Sequence, residues 1–547
     1  MILRALSASI LLSGAVLAQL PAVPVPAQNP LTPAKVVLGK ILFWDEQLSS
    51  DDTVACGTCH MPEAGGTDPR SLYGVHPGLD GLVGTADDIH GSPGVVRQRS
   101  NGDYAPQAPF GLQKQVGGRL ANTTLGAAHH DNLFWDGRAS TQFIDPETQQ
   151  VLIPFGGALE SQAVGPIMNP VEMATEGRTW AEVRQKLQNV RPLALATDLT
   201  PDIQAALQQD PYYPALFATA FGDPAITAAR IAYAIASYER TLTPDDTPWD
   251  RYVQGQSSAL NQAEKDGWAL FQTSARCRNC HTEPLFTDDL SHPIGLRPLV
   301  EDRGLGAISQ LPQDDGSFKT PTLRNAGLRP RQFHNGQSPA LGDPTQLTDP
   351  ASVLNVYLNG GGVDRQHIDP YVIVLNQHGV TAADLQKVID FVRTALTDPR
   401  CAQALPPFDH PTLHSHRVAE PQPFGQGLAG SIEPFFVATA PAWLGNAGWK
   451  LGLAAGDGPT TGLLGYGLRS MPPGVSFGGL PWNVEVLDAR FVPLSGPPGQ
   501  PGHATWRLPI PADPGLAGLQ VAFQLWALDP LAPHGIGTSR GLGIAVQ

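Results

Sequence analysis

Apolar residues recur at helical spacing in three stretches of the chain. Across 226–242, Ile226, Ile231, Ile235 and Tyr238 share one face, which predicts an amphipathic helix. Residues 258–271 predict a second helix, running straight into a cysteine-bearing segment. Residues 382–396 predict a third, with Leu385, Val388, Ile389, Val392 and Leu396 in one stripe. Long loops join these helices, so 34–401 reads as mainly α. After Cys401 the pattern changes. Pro406, Pro407, Pro411, Pro421 and Pro423 predict a linker over 402–424. Leu519, Val521, Phe523 and Leu525 then alternate with period two, and 449–453 and 483–487 behave similarly. Gly/Pro clusters separate these runs, so 425–547 predicts an all-β, sandwich-like domain. No cluster of His, Cys or acidic residues marks chemistry in it.

Composition fits this picture: 58 Gly and 53 Pro in 547 residues favour long loops and turn-rich β structure. The formal charge of −15 argues against a nucleic-acid partner and suits a small basic redox donor. Met1 to Arg4 precede an apolar run from Ala5 to Ala18, with Val16-Leu17-Ala18 as a cleavage site. This predicts a signal peptide over 1–18, a linker over 19–33, and a periplasmic or secreted protein. The run is too short for a membrane span, and no later stretch reaches about 18 apolar residues. Oligomeric state is left open, a homodimer included.

Two pentapeptides change the reading most: Cys56-Gly57-Thr58-Cys59-His60 and Cys277-Arg278-Asn279-Cys280-His281. C-x-x-C-H is the attachment sequence for c-type haem. Two thiols three residues apart form thioethers along one porphyrin edge, and the following histidine, here His60 or His281, supplies an axial imidazole. A zinc half-site or a redox dithiol is the alternative for a lone C-x-x-C. Two copies, each with histidine next, predict two covalently bound haems. The motifs use four of the five cysteines. Cys401 reads as a buried structural thiol.

Further blocks surround these motifs. They are Leu38-Gly39-Lys40-Ile41-Leu42-Phe43-Trp44-Asp45, Phe134-Trp135-Asp136-Gly137-Arg138-Ala139, and Gly165-Pro166-Ile167-Met168-Asn169-Pro170-Val171-Glu172-Met173. Tyr238-Glu239-Arg240-Thr241-Leu242 and Phe318-Lys319-Thr320-Pro321-Thr322-Leu323-Arg324-Asn325 follow. In kind and order they resemble the bacterial di-haem cytochrome c peroxidase family, which includes the MauG-type enzymes. The resemblance covers roughly 34–401 and not the β domain. It implies two cytochrome-like haem domains, a peroxidatic one over 34–243 and an electron-transfer one over 244–401.

The resemblance also implies roles. Glu172 matches the acid/base carboxylate of the peroxidatic pocket, Gln162 its glutamine partner, and Trp135 the tryptophan between the haems. Local sequence alone reads Asn169-Pro170-Val171-Glu172 as a helix cap with Glu172 at the third position, and both roles fit a helix start facing a haem. A large core aromatic is the alternative for Trp135. Some members close the peroxidatic haem with a loop histidine. His76 falls in that loop, where a plain surface histidine fits equally well. A long insertion follows, from Asp80 to about Gln115, and its carboxylates read as a solvated loop. The electron-transfer haem of such peroxidases takes a Met as second axial ligand, yet no Met lies between His281 and Arg400. Tyr357 stands at the corresponding interval, as in MauG-type enzymes, with His334, His367 and His378 in reserve. Phenolate ligation would lower the potential; a tyrosine packed in a last helical turn is the alternative. The family's inter-domain calcium uses an asparagine, matched by Asn122, and backbone carbonyls. Arg329 and Arg331 fall at the carbonyl positions and would repel a cation, which leaves calcium open.

The expected activity is reduction of hydrogen peroxide to water, with electrons from a small c-type cytochrome or cupredoxin. A MauG-type oxidase acting on an organic or protein substrate is the first alternative. A non-enzymatic di-haem electron-transfer cytochrome is the second.

Overall fold

The computed structural model describes residues 20–373 and 379–547. The expected signal peptide and His378 lie outside them. Helix makes up 29% of the structure and strand 18%, so helix leads the regular structure while loops carry most of the chain. Among the described residues no helix is long and apolar enough to cross a membrane.

The first core forms where α1 (Pro33–Trp44) crosses the helix Ala228–Glu239. Thr32 caps α1, accepting from the Lys35 amide at 3.3 Å, and Pro33 fits the first turn. The crossing is close because Gly39 lacks a side chain: a Cβ there would fall 1.9 Å from the Ala234 carbonyl oxygen. Trp44 then donates to the Tyr238 hydroxyl at 3.0 Å, and Phe43 packs edge-on against the same ring. Cys401, Phe408 and Leu413 are fully buried in this core. Part of the Pro-rich stretch expected as a linker therefore folds back onto the first half.

The second core gathers Trp249, Phe271, Phe286 and Phe391, with Trp249 and Phe286 edge-to-face at 4.8 Å. A buried Arg324–Asp250 pair, two hydrogen bonds of 2.7 and 2.8 Å, ties this aromatic cluster to the chain around it. The helix expected over 258–271 is Gln262–Gln272 instead. Asn261 and Glu264 form a reciprocal capping box that sets its start. The helix expected over 382–396 stays α-helical only over Ala382–Asp390, and a wider π turn, Phe391–Ala395, completes it.

From Pro423 onward the chain is sheet-rich. One antiparallel sheet runs in the order Pro423–Phe424, Gly541–Ala545, Gln520–Leu528, Thr460–Gly467, Asp488–Leu494, and Ile536–Thr538 pairs at its side. A second orders Phe435–Val437, Lys450–Ala455, Gly502–Arg507. Leu451 and Leu453 from the second sheet share a core with Leu464, Phe523 and Leu525 from the first. The outer face of the smaller sheet rests on the 80–115 insertion. Val437 and Ala454 pack with Val96, Tyr104 and Leu112. The buried Lys450 ammonium donates to Gln98 Oε1 at 2.6 Å and to the Gly102 carbonyl, and the Tyr104 amide donates to Thr505 Oγ1 at 2.8 Å.

Gly39→Ala tests the helix crossing. Alanine favours a helix over glycine by roughly 0.5–1 kcal/mol, but a clash with a backbone carbonyl cannot relax by side-chain rotation. A net loss of about 1–3 kcal/mol is expected, read as a lower melting temperature than the unsubstituted protein.

Candidate haem sites

Each cysteine motif sits on a short helical turn. The first is Cys56–Cys59, opened by the Ala55 amide donating to Thr58 Oγ1 at 2.8 Å. Gly57 is required there, because a Cβ would meet the Trp44 ring at 2.2 Å. The second turn, Cys277–Asn279, follows Arg276 in the left-handed region. In both motifs the histidine is held the same way. His60 Nδ1 lies 3.1 Å from the Gly66 carbonyl oxygen, and His281 Nδ1 lies 3.1 Å from that of Phe286. A carbonyl only accepts, so Nδ1 carries the proton and Nε2 keeps its lone pair for a metal. Burial lowers both pKa values, that of His281 to about 4, so each ring stays neutral. The thiols point the same way. Burial pushes Cys59 and Cys277 up to about 12 and raises Cys56 as well. A redox dithiol or zinc ligand calls for an easily formed thiolate, whereas a thioether does not.

The second motif opens on a large cavity. Leu341, Leu354, Leu385, Val388 and Ile389 give it apolar walls, and Cys277, Cys280 and His281 lie along it. Arg276, Lys319, Arg329 and Arg331 also line it, with no Asp or Glu among its described lining residues. An apolar macrocycle with two carboxylates matches that surface. Trp135 and Asn122 are part of the lining. Trp135 is buried, donates from Nε1 to the Leu120 carbonyl at 2.8 Å, and meets the His334 ring edge-on at 6.2 Å. His334 in turn stacks on Phe318 at 3.5 Å.

Tyr357, on the helix Val353–Leu358, lines the same cavity. Burial raises its pKa, and Cys280 and Cys277 are close enough to add to the rise. Of the reserve histidines, His334 lines the cavity, with Nε2 buried and unpartnered. His367 is outside the cavity lining and pairs with Asp364 at 3.1 Å.

Glu172 belongs to the first motif, where its charge bears on both Cys56 and Cys59. Burial raises its pKa, opposed by Arg138. Its setting corrects one expectation: Asn169 does not start a helix but terminates Ala158–Met168. Asn169 Oδ1 accepts from the Val171 amide at 2.9 Å, and its Nδ2 donates to Glu172 Oε1 at 2.8 Å. These side-chain bonds resemble a cap's, but the Thr175 amide turns away to Ser50 Oγ at 2.8 Å, so no helix follows. The insertion grips this turn. Val95 donates to the Val171 carbonyl at 3.2 Å and Gln115 Nε2 to that of Pro170 at 2.7 Å. A Cβ on Gly94 would lie 2.0 Å from the Val171 oxygen. The segment expected as a solvated loop is thus partly a hairpin, Pro93–Val96 with Lys114–Val116, covering the Glu172 turn. Gln162 is half-buried on Ala158–Met168 and makes no side-chain hydrogen bond among the described residues. His76 lies in a two-residue strand paired with Ile89–His90. It packs edge-on against Phe110 and accepts from the Gly78 amide at 3.2 Å, and neither contact reaches the first motif.

Two residues without a sequence signal complete the sites. Glu239 is buried beside Cys56, with Oε2 lacking a partner and its pKa pushed up to about 8 by burial. His292 bridges Asp288 and Asp369 at 2.8 Å each, and the hydrogen bonds to these carboxylates, Asp288 first, raise its pKa and favour an imidazolium behind Cys280.

Comparison with known proteins gives the family. The family described as "Di-haem cytochrome c peroxidase" matches residues 33–258. The methylamine utilization protein MauG of Methylophilus methylotrophus is 31% identical over 316 residues, 57% of this chain and 72% of that one. The chain belongs to the di-haem cytochrome c peroxidase family. Cytochrome c peroxidase Ccp of Escherichia coli (strain K12) is 28% identical over 334 residues, 60% of this chain and 55% of that one. A solved MauG-like protein associated with microbial copper homeostasis aligns at 23% identity with a TM-score of 0.48, over 71% of this chain and 96% of that one. Membership makes this di-haem peroxidase-family chain a peroxidase-type oxidoreductase and implies two haems. It sets aside the non-enzymatic reading.

Glu239 gives the peroxidase-family chain a pH signature. Its folded pKa is raised, so below about pH 4 it is protonated in both folded and unfolded chains and costs nothing. Stability is lost as pH rises from there toward about 8, where the buried carboxylate finally ionises. Glu239→Gln should therefore raise the melting temperature at pH 8 and leave it nearly unchanged at pH 4.

Proposed function

We propose that this protein reduces hydrogen peroxide to water at the haem held by Cys56, Cys59 and His60. Electrons arrive through the haem held by Cys277, Cys280 and His281, with Trp135 on the path between. The observation that carries this division is electrostatic. A half-buried carboxylate with a raised pKa, Glu172, lies near enough to the first motif for its charge to bear on Cys56 and Cys59, while the described lining of the second cavity holds Arg276, Lys319, Arg329 and Arg331 and no carboxylate. Bound haem supplies the redox equivalents and the binding site for peroxide. The remaining work falls to side chains. Burial makes the Glu172 carboxylate a stronger base than an exposed glutamate, and Asn169 Nδ2 orients it through Oε1. It can take the proton from the bound peroxide oxygen and return it to the departing one, as general base and then general acid. Gln162 orients the peroxide from Ala158–Met168. Trp135, fixed through Leu120, offers a polarizable ring along the wall of the second cavity. The donor is a small c-type cytochrome or cupredoxin, met outside the cytoplasm.

A second reading rests on Tyr357. Its presence in the wall of the second cavity, in a stretch without methionine, supports phenolate ligation at that haem and a MauG-type oxidation of an organic or protein substrate. The two readings separate when the holoprotein is titrated with peroxide, with and without reduced cytochrome c. Rapid cytochrome oxidation identifies the peroxidase; a long-lived oxidised spectrum indifferent to cytochrome identifies the oxidase. Under either reading Glu172→Gln should slow reaction with peroxide by about 10²–10⁴-fold while both haems stay attached. Full activity in that variant removes Glu172 from its role.

A further inference from the structure

We infer that Arg329 supplies, from the chain itself, the positive charge between the two haem motifs, and that the protein holds no calcium there. The inference rests on the reading that a haem attached at 277–281 fills the second cavity.

The residues around Asn122 do not make a calcium site. Calcium takes six to eight oxygens, and a site built on Asn122 and backbone carbonyls has no negative charge of its own to offset neighbouring cations. The cavity wall that Asn122 shares has no carboxylate among its described residues and four basic side chains, Arg329 and Arg331 included. The Arg329 carbonyl is already engaged, accepting from Gln332 Nε2 at 3.3 Å.

The Arg329 side chain is placed where a bridging cation would act. Its stem abuts the loop that orients the first histidine: a Cβ on Gly65 would meet Arg329 Cγ at 2.9 Å, and the next carbonyl, of Gly66, receives the His60 proton. Thr123 fastens the same loop, donating to the Gly65 carbonyl at 2.8 Å, and also lines the second cavity. The guanidinium is buried. Nη2 donates to the Thr322 and Arg324 carbonyls at 2.8 and 3.3 Å, whereas Nε finds no partner, and no carboxylate pairs with it among the described residues. A buried guanidinium without a counter-charge is strongly unfavourable. The carboxylates of the haem in this cavity are the anions that would complete it, so Arg329 links the first histidine's loop to the second haem's charge.

The holoprotein tests this in two ways. Purified protein should contain far less than one calcium per chain, and its melting temperature should not move with EGTA or added calcium. Arg329→Gln should lower the midpoint potential of the haem at 277–281, because a nearby positive charge favours the reduced state. Arg329→Lys should stay near the original value. Haem content, measured separately, distinguishes failure of this inference from failure of attachment: fewer than two haems in the unsubstituted protein overturns the underlying reading instead. Stoichiometric calcium, an EGTA-induced drop in melting temperature reversed by calcium, or a two-haem Gln variant with unchanged potential overturns the inference. Should the Gln variant not fold, the calcium measurements and the Lys variant decide it.

Discussion

A histidine serves as an axial ligand only when it is neutral and when one ring nitrogen is free and aimed. In both motifs a single hydrogen bond, from Nδ1 to a backbone carbonyl, fixes the tautomer and the ring plane together. The surrounding structure follows from protecting those two bonds. Burial keeps the imidazoles uncharged. Gly57 lets the first turn lie against Trp44, and Trp44 is in turn anchored to Tyr238 across the helix crossing that Gly39 permits. The chemistry of the first motif thus depends on a missing methyl group more than one helical turn away.

With the two histidines so alike, the difference between the sites lies in their charges. The first has two raised carboxylates nearby, Glu172 and Glu239. The second is lined by basic side chains, among them Arg276, Arg329, Arg331 and a Lys319 paired with Asp289. Low dielectric amplifies both. Acid groups suit a site where protons move; fixed positive charge suits one that holds a dianionic cofactor and passes electrons on. Trp135 lies buried in the wall of the second cavity, edge-on to His334.

Much of this architecture is legible in the amino-acid pattern. A period of 3.6 marks the helices at Ala228–Glu239 and Ala382–Asp390, and a period of two marks Gln520–Leu528. The cysteine spacing locates both haem motifs. Pattern and fold part where two structures share one local bond arrangement. An asparagine accepting from the amide two residues on looks the same at a helix start and in an isolated turn, and only the distant Ser50 decides for Asn169. The 80–115 insertion is illegible for another reason. Its strands are two to four residues long, too short for any period to register. Arg329 and Glu239 carry no local mark of burial, since a charged residue is normally exposed and its exception is set by partners far off in sequence.

The seating of the sheet-rich C-terminal region on the insertion bears on the order in which the molecule is completed. The turn bearing Glu172 is gripped by the 93–116 hairpin, and that hairpin's segment is held in turn by Lys450 and Thr505, contacts spanning 352 and 401 residues. Contacts that distant form late and slow a chain's maturation. On a ribosome the first motif is made early, yet the turn that bears Glu172 waits for the last hundred residues. A nascent or truncated chain would carry Cys56 and Cys59 before the Glu172 turn is set.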